Sequence, residues 1–509
     1  MYGEGQAVRS RRFIIASTAV LLPIAAFAAP AGLAAVNPHR VPLYTSERVT
    51  HGGFEPRIAV APDGTRWLST QDTQGPAGDV LGAGAEVVYY SKDRGKTWHR
   101  TPTDPQVSQP CCDNEIAVSP TGRVFTSVID FSTININIQY SDDGGKTWTS
   151  TQGNTAADQD REWLAVGPKD PLTGKNDVYM LWHNLASGAA DHEMMVSTSR
   201  DNGATFGPPV PIATPGSQAW LDLQCADSGG PSNIFTNPKT GQVYALFATR
   251  SSALGGCGAS ATQNFEINIV AATRVWLATS TDQGLTWTDS LVTDDSNAGN
   301  IVGMQVNSGT VDDKGNVYVV YPESPKAYPD YDGAAVKYKW APANLSHWSK
   351  AVTVAPAVNH GNTPGAGHIL TQIAAGDPGK LALFYLTGDG DGTRALWYPT
   401  VSTTYDGLDA SPKFVEQRVS KVPAWKGTAT ELMGACFFLK DNVNNSLAVL
   451  DGGFNDFVCG RSSDVLGQAI DANGHPMFTW DDDQSAAGKQ ASGTYVTQQA
   501  TGPSLIGRH

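Results

Sequence analysis

The chain has 509 residues and a formal net charge of −14 at pH 7, with 53 Gly, 31 Pro and 13 Trp. A chain this acidic is not expected to bind nucleic acid nonspecifically, and an anionic ligand would need a local cluster of arginines. Abundant glycine and proline with few helical periodicities favour many short strands joined by tight turns, which predicts an all-β protein.

The N-terminus predicts an export signal over residues 1–35. A basic start precedes the apolar stretch Phe13–Ala29, which is the order of a secretory signal peptide. Ser10–Ile15 resembles a twin-arginine signal, which implies export in the folded state; an ordinary secretory signal with a chance arginine pair is the alternative. The mature chain is expected to be secreted or extracytoplasmic and without a membrane span, since no second apolar run approaches spanning length.

Six cysteines in an exported chain are expected to be oxidised. Proximity in sequence favours the pairs Cys225–Cys257 and Cys436–Cys459. The adjacent Cys111 and Cys112 then form a strained vicinal bridge or stay as thiols. No companion Cys/His cluster has metal-ligand spacing, so neither a metal nor a cofactor is predicted.

An eight-residue turn motif occurs four times. It spans Ser91–Trp98, Ser141–Trp148, Ser199–Phe206 and Ser280–Trp287, and each copy reads S-x-D-x-G-x-T-W/F. An Asp carboxylate that accepts nearby amides, a Gly at positive φ and hydroxyl groups that add side-chain bonds predict a self-satisfied hairpin turn.

A second repeat, a β-rich run followed by a tight turn, runs in phase with the first. Its seven copies begin near Arg57, Glu115, Trp163, Asn233, Val311, Ile373 and Ala469. Seven sheet-forming units predict a β-propeller of seven blades, with six as the alternative, in a single domain over residues 36–509. The first four units carry the eight-residue motif, the later three show no recognisable copy, and Pro399–Asp456 is poorly patterned.

The turn motif resembles the Asp box of the sialidase-like (BNR) β-propellers. In that family the boxes lie on the rim opposite the active site, so the resemblance implies architecture and not chemistry. It also implies that Asp72 lies about where the family's acid/base Asp falls, and that Arg161 is a second carboxylate-binding arginine. Arg394 or Arg461 is offered as the third, with no motif behind either, and no Tyr nucleophile can be assigned.

Successive hairpin turns of a propeller blade lie alternately on its two faces. The starts of the first strands of the repeat units and the loops after their second strands are therefore expected on the same face of the propeller. Side chains alternate along a strand, so Glu55 and Arg57 are expected to share one side, as are Asp113 and Glu115. The candidate catalytic residues are Asp72, Asp113, Glu115 and Asp160. The candidate substrate-binding residues are Glu55, Arg57, Arg161, Glu162 and His183. A solvated funnel of salt bridges is the alternative interpretation.

Mixed carboxylates and guanidinium groups in a concave mouth suit glycan chemistry. Crowded carboxyls raise one another's pKa and a nearby Arg lowers it, which can separate an acid from a base. The sequence therefore predicts a glycan-active, sialidase-like glycoside hydrolase, expected to be monomeric. One alternative is a propeller-type polysaccharide lyase with His183 or a Tyr as base and Arg57 and Arg161 on a uronate; another is a noncatalytic glycan- or protein-binding propeller.

Overall fold

The computed structural model describes residues 41–50, 53, 55–72, 85–108, 110–130, 132–133, 135–154, 159–184, 194–225, 231–255, 272–298, 300–302, 307–325, 334–357, 367–390, 395–427, 466–482 and 493–507. The signal peptide over residues 1–35, Arg394, Arg461, Cys257, Cys436 and Cys459 lie outside these residues. The export signal and the disulfide pairings therefore stay predictions.

The described residues form seven antiparallel sheets, each built from a consecutive stretch of chain apart from one exchange at the N-terminus. This is the arrangement of a β-propeller. The prediction of seven blades is confirmed, and the six-bladed alternative is wrong.

The strands are numbered in chain order, and β1 (Leu43–Arg48) precedes blade 1. Blade 1 contains β2 (Arg57–Val60), β3 (Arg66–Asp72), β4 (Ala85–Ser91) and β5 (His99–Arg100). Blade 2 contains β6 (Pro110–Val118), β7 (Val124–Asp130), β8 (Asn135–Ser141) and β9 (Thr149–Ser150). Blade 3 contains β10 (Gln159–Lys169), β11 (Asn176–Asn184), β12 (Met194–Ser199) and β13 (Val210–Pro211). Helix α1 (Gln218–Leu223) follows, and blade 4 contains β14 (Pro231–Thr236), β15 (Val243–Thr249), β16 (Arg274–Ser280) and β17 (Thr288–Asp294), with a single-turn 3₁₀ helix at Ser252–Leu254.

Blades 5 and 6 each contain a fifth, short strand, and blade 7 closes the ring. Blade 5 contains β18 (Ile301–Val302), β19 (Ser308–Val311), β20 (Val317–Ser324), β21 (Ala335–Ala341) and β22 (Val352–Ala355). Blade 6 contains β23 (Gly367–Ala375), β24 (Leu381–Gly390), β25 (Ala395–Thr404), β26 (Val415–Arg418) and β27 (Trp425–Gly427). Blade 7 contains β28 (Gln468–Ile470), β29 (Pro476–Asp482), β30 (Gly493–Thr501) and, as its outer strand, β1.

Each blade is buried on both faces because it packs between two neighbours. Every residue of β7 is buried. Its Phe125 packs on Met180 of blade 3, whereas Val124 packs on Val88 of blade 1. Successive side chains point to opposite faces of a strand, so two apolar neighbours produce continuous apolar runs in the sequence. The hydrophobic core is therefore a series of layers between blades.

The Asp boxes adopt the predicted turn. In the first copy, the Thr97 amide and hydroxyl donate to the Asp93 carboxylate at 2.9 and 2.6 Å, and the Gly95 amide donates to Ser91 Oγ at 2.8 Å. Gly95 has a φ of +80°, which a glycine adopts without strain. These bonds favour the ionised carboxylate, so the Thr97 hydroxyl and amide lower the pKa of Asp93 below its usual range.

Blade 6 contains a related turn that the sequence repeat did not reveal. The Thr404 hydroxyl and the Lys413 amide donate to Asp406 Oδ1 at 2.6 and 3.0 Å. The amide comes seven residues after Asp406, whereas Thr97 comes four residues after Asp93. This longer spacing hides the motif in the sequence.

Candidate active site

A repeated backbone distortion lies at the start of the first strands. Glu55, Asp113, Arg161 and Leu370 have φ values of 51°, 54°, 54° and 56°. In blades 2, 3 and 6 the pairing register shifts at this point, which marks a β-bulge. Positive φ is unfavourable for residues with a Cβ, and such bulges re-aim side chains near functional sites. In blade 1, Glu55 lies before β2 and has positive φ, so the strand alternation expected between Glu55 and Arg57 does not extend to Glu55.

Arg57 and Glu115 form a buried ion pair between blades 1 and 2. Arg57 Nε donates to Glu115 Oε1 at 2.9 Å, Nη2 contacts Oε2, and Nη1 donates to the Leu466 carbonyl at 2.7 Å. The guanidinium carbon lies 5.9 Å from the centre of the Trp163 ring. Each nitrogen of the guanidinium group thus has a partner inside the protein, and the two opposite charges compensate each other.

Glu55 and Asp113 meet across the same pair of blades. Glu55 Oε2 accepts a hydrogen bond from the Asp113 amide, and the Glu55 carbonyl accepts one from Asn114 Nδ2 at 2.9 Å. Asn114 Oδ1 in turn accepts a hydrogen bond from the Ser69 hydroxyl at 2.7 Å. The structure therefore brings Glu55 and Asp113 together.

Blade 3 adds four predicted residues, three of them consecutive on β10 and the fourth on β11. Arg161 Nε lies 3.3 Å from Asp160 Oδ2, and Asp160 is the cross-strand neighbour of the buried His183. Glu162 is only 3% exposed. Burial, followed by the negative charge of Asp113 and then of Asp160, raises the pKa of Glu162 well above its usual range. Glu162 therefore stays protonated where an ordinary glutamate is ionised.

Asp72 ends β3, opposite Ala85. The backbone partner of Arg57 is Ser69, so Asp72 lies beyond it toward the end of the blade where Glu55 and Asp113 are found.

An axial cavity of about 270 Å³ lies between the first strands of all seven blades. Arg57, Glu115 and Trp163 form part of its wall. Sequence reasoning missed three polar wall residues, Ser232, Asn307 and Gln372. All three are buried, and their side-chain oxygen and nitrogen atoms have no hydrogen-bond partner among the described residues.

These missed residues follow a detectable sequence signal. Each lies at, or one position before, the point of its first strand that Arg57 and Glu115 occupy in theirs. Extending the register of the repeat from the first three blades to the others would have found them.

Glu86 is a further buried carboxyl that sequence reasoning missed. It lies in β4, where it accepts a hydrogen bond from the Thr126 hydroxyl of blade 2. Burial raises the pKa of Glu86 well above its usual range. The signal is a lone carboxylate in the run Ala85–Ser91, which otherwise consists of uncharged residues.

Within the described part of the chain, no group of three His, Cys, Asp or Glu side chains is placed to hold a metal ion. The same residues include no helix long and apolar enough to cross a bilayer.

Residues 38–331 match the family model of the BNR repeat-like domain, which is more than half of the chain. The chain belongs to the BNR repeat-like family. The resemblance to the sialidase-like propellers is thereby confirmed for family and fold, and the Asp boxes are part of this BNR architecture.

Several solved structures resemble the BNR-repeat protein at low identity. A polysaccharide lyase described as an ulvan lyase has 12% identity and a TM-score of 0.48, covering 91% of this chain and 96% of its own. An α-L-arabinofuranosidase of Fusarium graminearum, solved with arabinobiose, has 12% identity and a TM-score of 0.42, covering 90% and 97%. A sialidase of Streptococcus pneumoniae has 10% identity and a TM-score of 0.39, covering 91% and 71%. No curated protein matches the chain.

Proposed function

We propose that this BNR-repeat protein is an exported glycoside hydrolase that uses carboxyl groups at the mouth of the axial cavity. The observation that carries the proposal is the buried Glu162, whose pKa is raised well above its usual range by burial and by the charges of Asp113 and Asp160. Glycoside hydrolysis needs one protonated carboxyl and one ionised carboxylate on either side of the scissile bond. Glu162 is the candidate acid, and Asp113 or Asp160 is the candidate base or nucleophile.

This assignment differs from the sequence-based one in two residues. Glu115 was a candidate catalytic residue, but its carboxylate is held by Arg57 in a closed ion pair. Glu162 was a candidate substrate-binding residue, but its protonated state suits proton donation to a leaving group. Asp72 stays a candidate catalytic residue, and its position at the end of β3 supports this.

The lyase alternative needs a guanidinium group that can neutralise a uronate carboxylate. Arg57 already donates through Nε and Nη1 and contacts Glu115 through Nη2. Arg161 is paired with Asp160 at 3.3 Å. A uronate would have to displace these partners, so the observed pairing favours hydrolysis over elimination.

The test is a substrate screen with aryl glycosides, natural oligosaccharides and uronic-acid polymers, followed by Glu162→Gln on any active substrate. Loss of a general acid typically lowers kcat/KM by about 10²–10⁴-fold. The loss should be large for sugar leaving groups and small for a dinitrophenyl leaving group, which departs without a proton.

Glu86→Gln is the matched control, because Glu86 is also a buried carboxyl with a raised pKa but lies on β4 and is bonded by Thr126. It should leave turnover unchanged. Equal losses for both leaving groups in Glu162→Gln would refute the acid role. Formation of an unsaturated uronate would establish the lyase instead, and saturable glycan binding without turnover would establish a binding protein.

A further inference from the structure

The wall of the axial cavity satisfies some of its own polar groups and leaves others open. Gln468 is satisfied: its Oε1 accepts hydrogen bonds from the Ser308 hydroxyl at 2.6 Å and the Ile373 amide at 2.8 Å. Gln372 and Asn307 differ, since both the oxygen and the nitrogen of each amide have no partner among the described residues. A buried amide without a partner is unfavourable, so these two groups indicate a guest that supplies both donors and acceptors.

The charges of the wall indicate that this guest is neutral. Arg57 and Glu115 are the charged side chains among the described residues that line the cavity, and they compensate each other in one ion pair. A carboxylate or an ammonium group placed there would lack a counter-charge, which is costly in a buried site. Uncharged hydroxyl groups have no such cost and can donate to and accept from one amide at the same time.

The size and shape of the cavity indicate one ring. A volume of about 270 Å³ corresponds to about nine water molecules at roughly 30 Å³ each, which is room for a single sugar ring. Trp163 adds an aromatic surface to the wall, and such surfaces pack on the C–H faces of sugar rings. Because all seven blades close the sides of the cavity, a ligand can enter only along the propeller axis. A glycan chain would therefore enter with its terminal sugar first.

We propose that the axial cavity binds one neutral sugar ring at the end of a glycan chain, held by the amides of Gln372 and Asn307. The protein then acts on uncharged terminal sugars and not on uronic or sialic acids. The proposal that the cavity binds a sugar is argued from the cavity alone. The proposal that this sugar belongs to a substrate rests on the proposed function. Glu162 directly precedes the wall residue Trp163 on β10, so the backbone of the candidate acid lies one residue from the cavity wall.

Binding is measured by calorimetry on the full-length protein with neutral pentoses and hexoses, their glycosides, and the matching uronic acids. We expect saturable binding of at least one neutral sugar and at least tenfold weaker binding of its uronic acid. Gln372→Leu removes two potential hydrogen bonds from the guest and should weaken neutral-sugar binding by at least about tenfold. An Asn307→Leu variant tests the second amide in the same way and serves if Gln372→Leu fails to fold.

Gln224→Leu is the matched control, because Gln224 is also a buried glutamine without an amide partner but follows helix α1 outside the cavity wall. It should bind the neutral sugar as the wild type does. Three results would overturn the proposal: no binding of any neutral sugar, which means that the cavity holds water only; equal binding of the uronic acid; or wild-type affinity in both cavity variants.

The outcomes also separate this inference from the proposed hydrolase. Neutral-sugar binding that depends on Gln372, with no turnover of any substrate, supports the cavity site and rejects the hydrolase. Hydrolysis that depends on Glu162 but releases an acidic sugar supports the hydrolase and rejects the neutral-sugar site.

Discussion

The Arg57–Glu115 ion pair allows a quantitative prediction from the structure. Both side chains are nearly buried, with exposed fractions of 9% and 8%. Glu115→Leu leaves the guanidinium group with one remaining acceptor, the Leu466 carbonyl. Removing one partner of a buried pair costs about 3–5 kcal/mol, because the other charge stays in a medium that solvates it poorly. We expect a loss of that size in the free energy of unfolding.

The double variant Arg57→Met, Glu115→Leu should recover most of this loss. Replacing both charges by apolar groups of similar volume is often neutral or stabilising. The coupling energy between the two sites should therefore be about 3 kcal/mol or more, which is well above the error of a double-mutant cycle. Urea unfolding of the wild type, the two single variants and the double variant measures it, with coincident refolding curves as the check on reversibility.

Two results would refute the ion-pair reasoning. A Glu115→Leu variant within about 1 kcal/mol of the wild type would mean that the pair is solvated or replaceable. Additive losses in the double variant would mean that the two side chains stabilise the protein independently. If the double variant is as stable as the wild type but has lost turnover, then Arg57 or Glu115 takes part in the reaction.

Three further predictions concern closure of the ring, the Asp box and the candidate acid. A Cβ on Gly467 would lie 2.6 Å from the Ile58 amide nitrogen, so Gly467→Ala should destabilise the protein by about 1–3 kcal/mol, measured by urea unfolding; an unchanged midpoint would show that blades 7 and 1 shift freely. The Thr147 amide and hydroxyl lower the pKa of Asp143 to about 2, so the contribution of its carboxylate is present above the ordinary Asp pKa and is lost as pH falls toward the folded value; the melting temperatures of Asp143→Asn and wild type should converge between about pH 4 and pH 2. The raised pKa of Glu162 means that wild-type stability falls as pH rises above the ordinary Glu pKa of about 4.3; Glu162→Gln should therefore match the wild type near pH 4 and melt higher at pH 8, and a pH-independent difference would contradict the burial argument.

The architecture could be predicted from the sequence because its signals are local. The motif Ser91–Trp98 encodes a turn in which the hydrogen bonds of Ser91 and Asp93 lie within eight residues, and its four copies mark the first four blades directly. The first-strand repeats add the remaining units, and all seven are found where expected. The turn at Thr404 was not predicted because the spacing between its Asp and the amide that donates to it differs from that of the motif.

The site was only partly predictable because its decisive contacts are not local. Residue type and position placed Asp113 and Glu162 at one mouth, but the burial that keeps Glu162 protonated depends on neighbouring blades. The pairing of Arg57 with Glu115 joins residues 58 positions apart, and nothing in either segment specifies it. The positive φ of Glu55, which takes this residue out of the strand alternation, also has no signal in the sequence.

The strand exchange in blade 7 also governs how the molecule is assembled. Leu43–Arg48 pairs with Tyr495–Thr501 at the opposite end of the sequence. Bringing such distant segments together costs chain entropy, and contacts of this kind slow folding. Because Gly493–Thr501 pairs with both β29 and β1, blade 7 without this strand would have two unpaired strand edges. An unpaired strand edge can pair with a strand of a second copy, so a chaperone that covers these edges would protect the chain until blade 7 is complete.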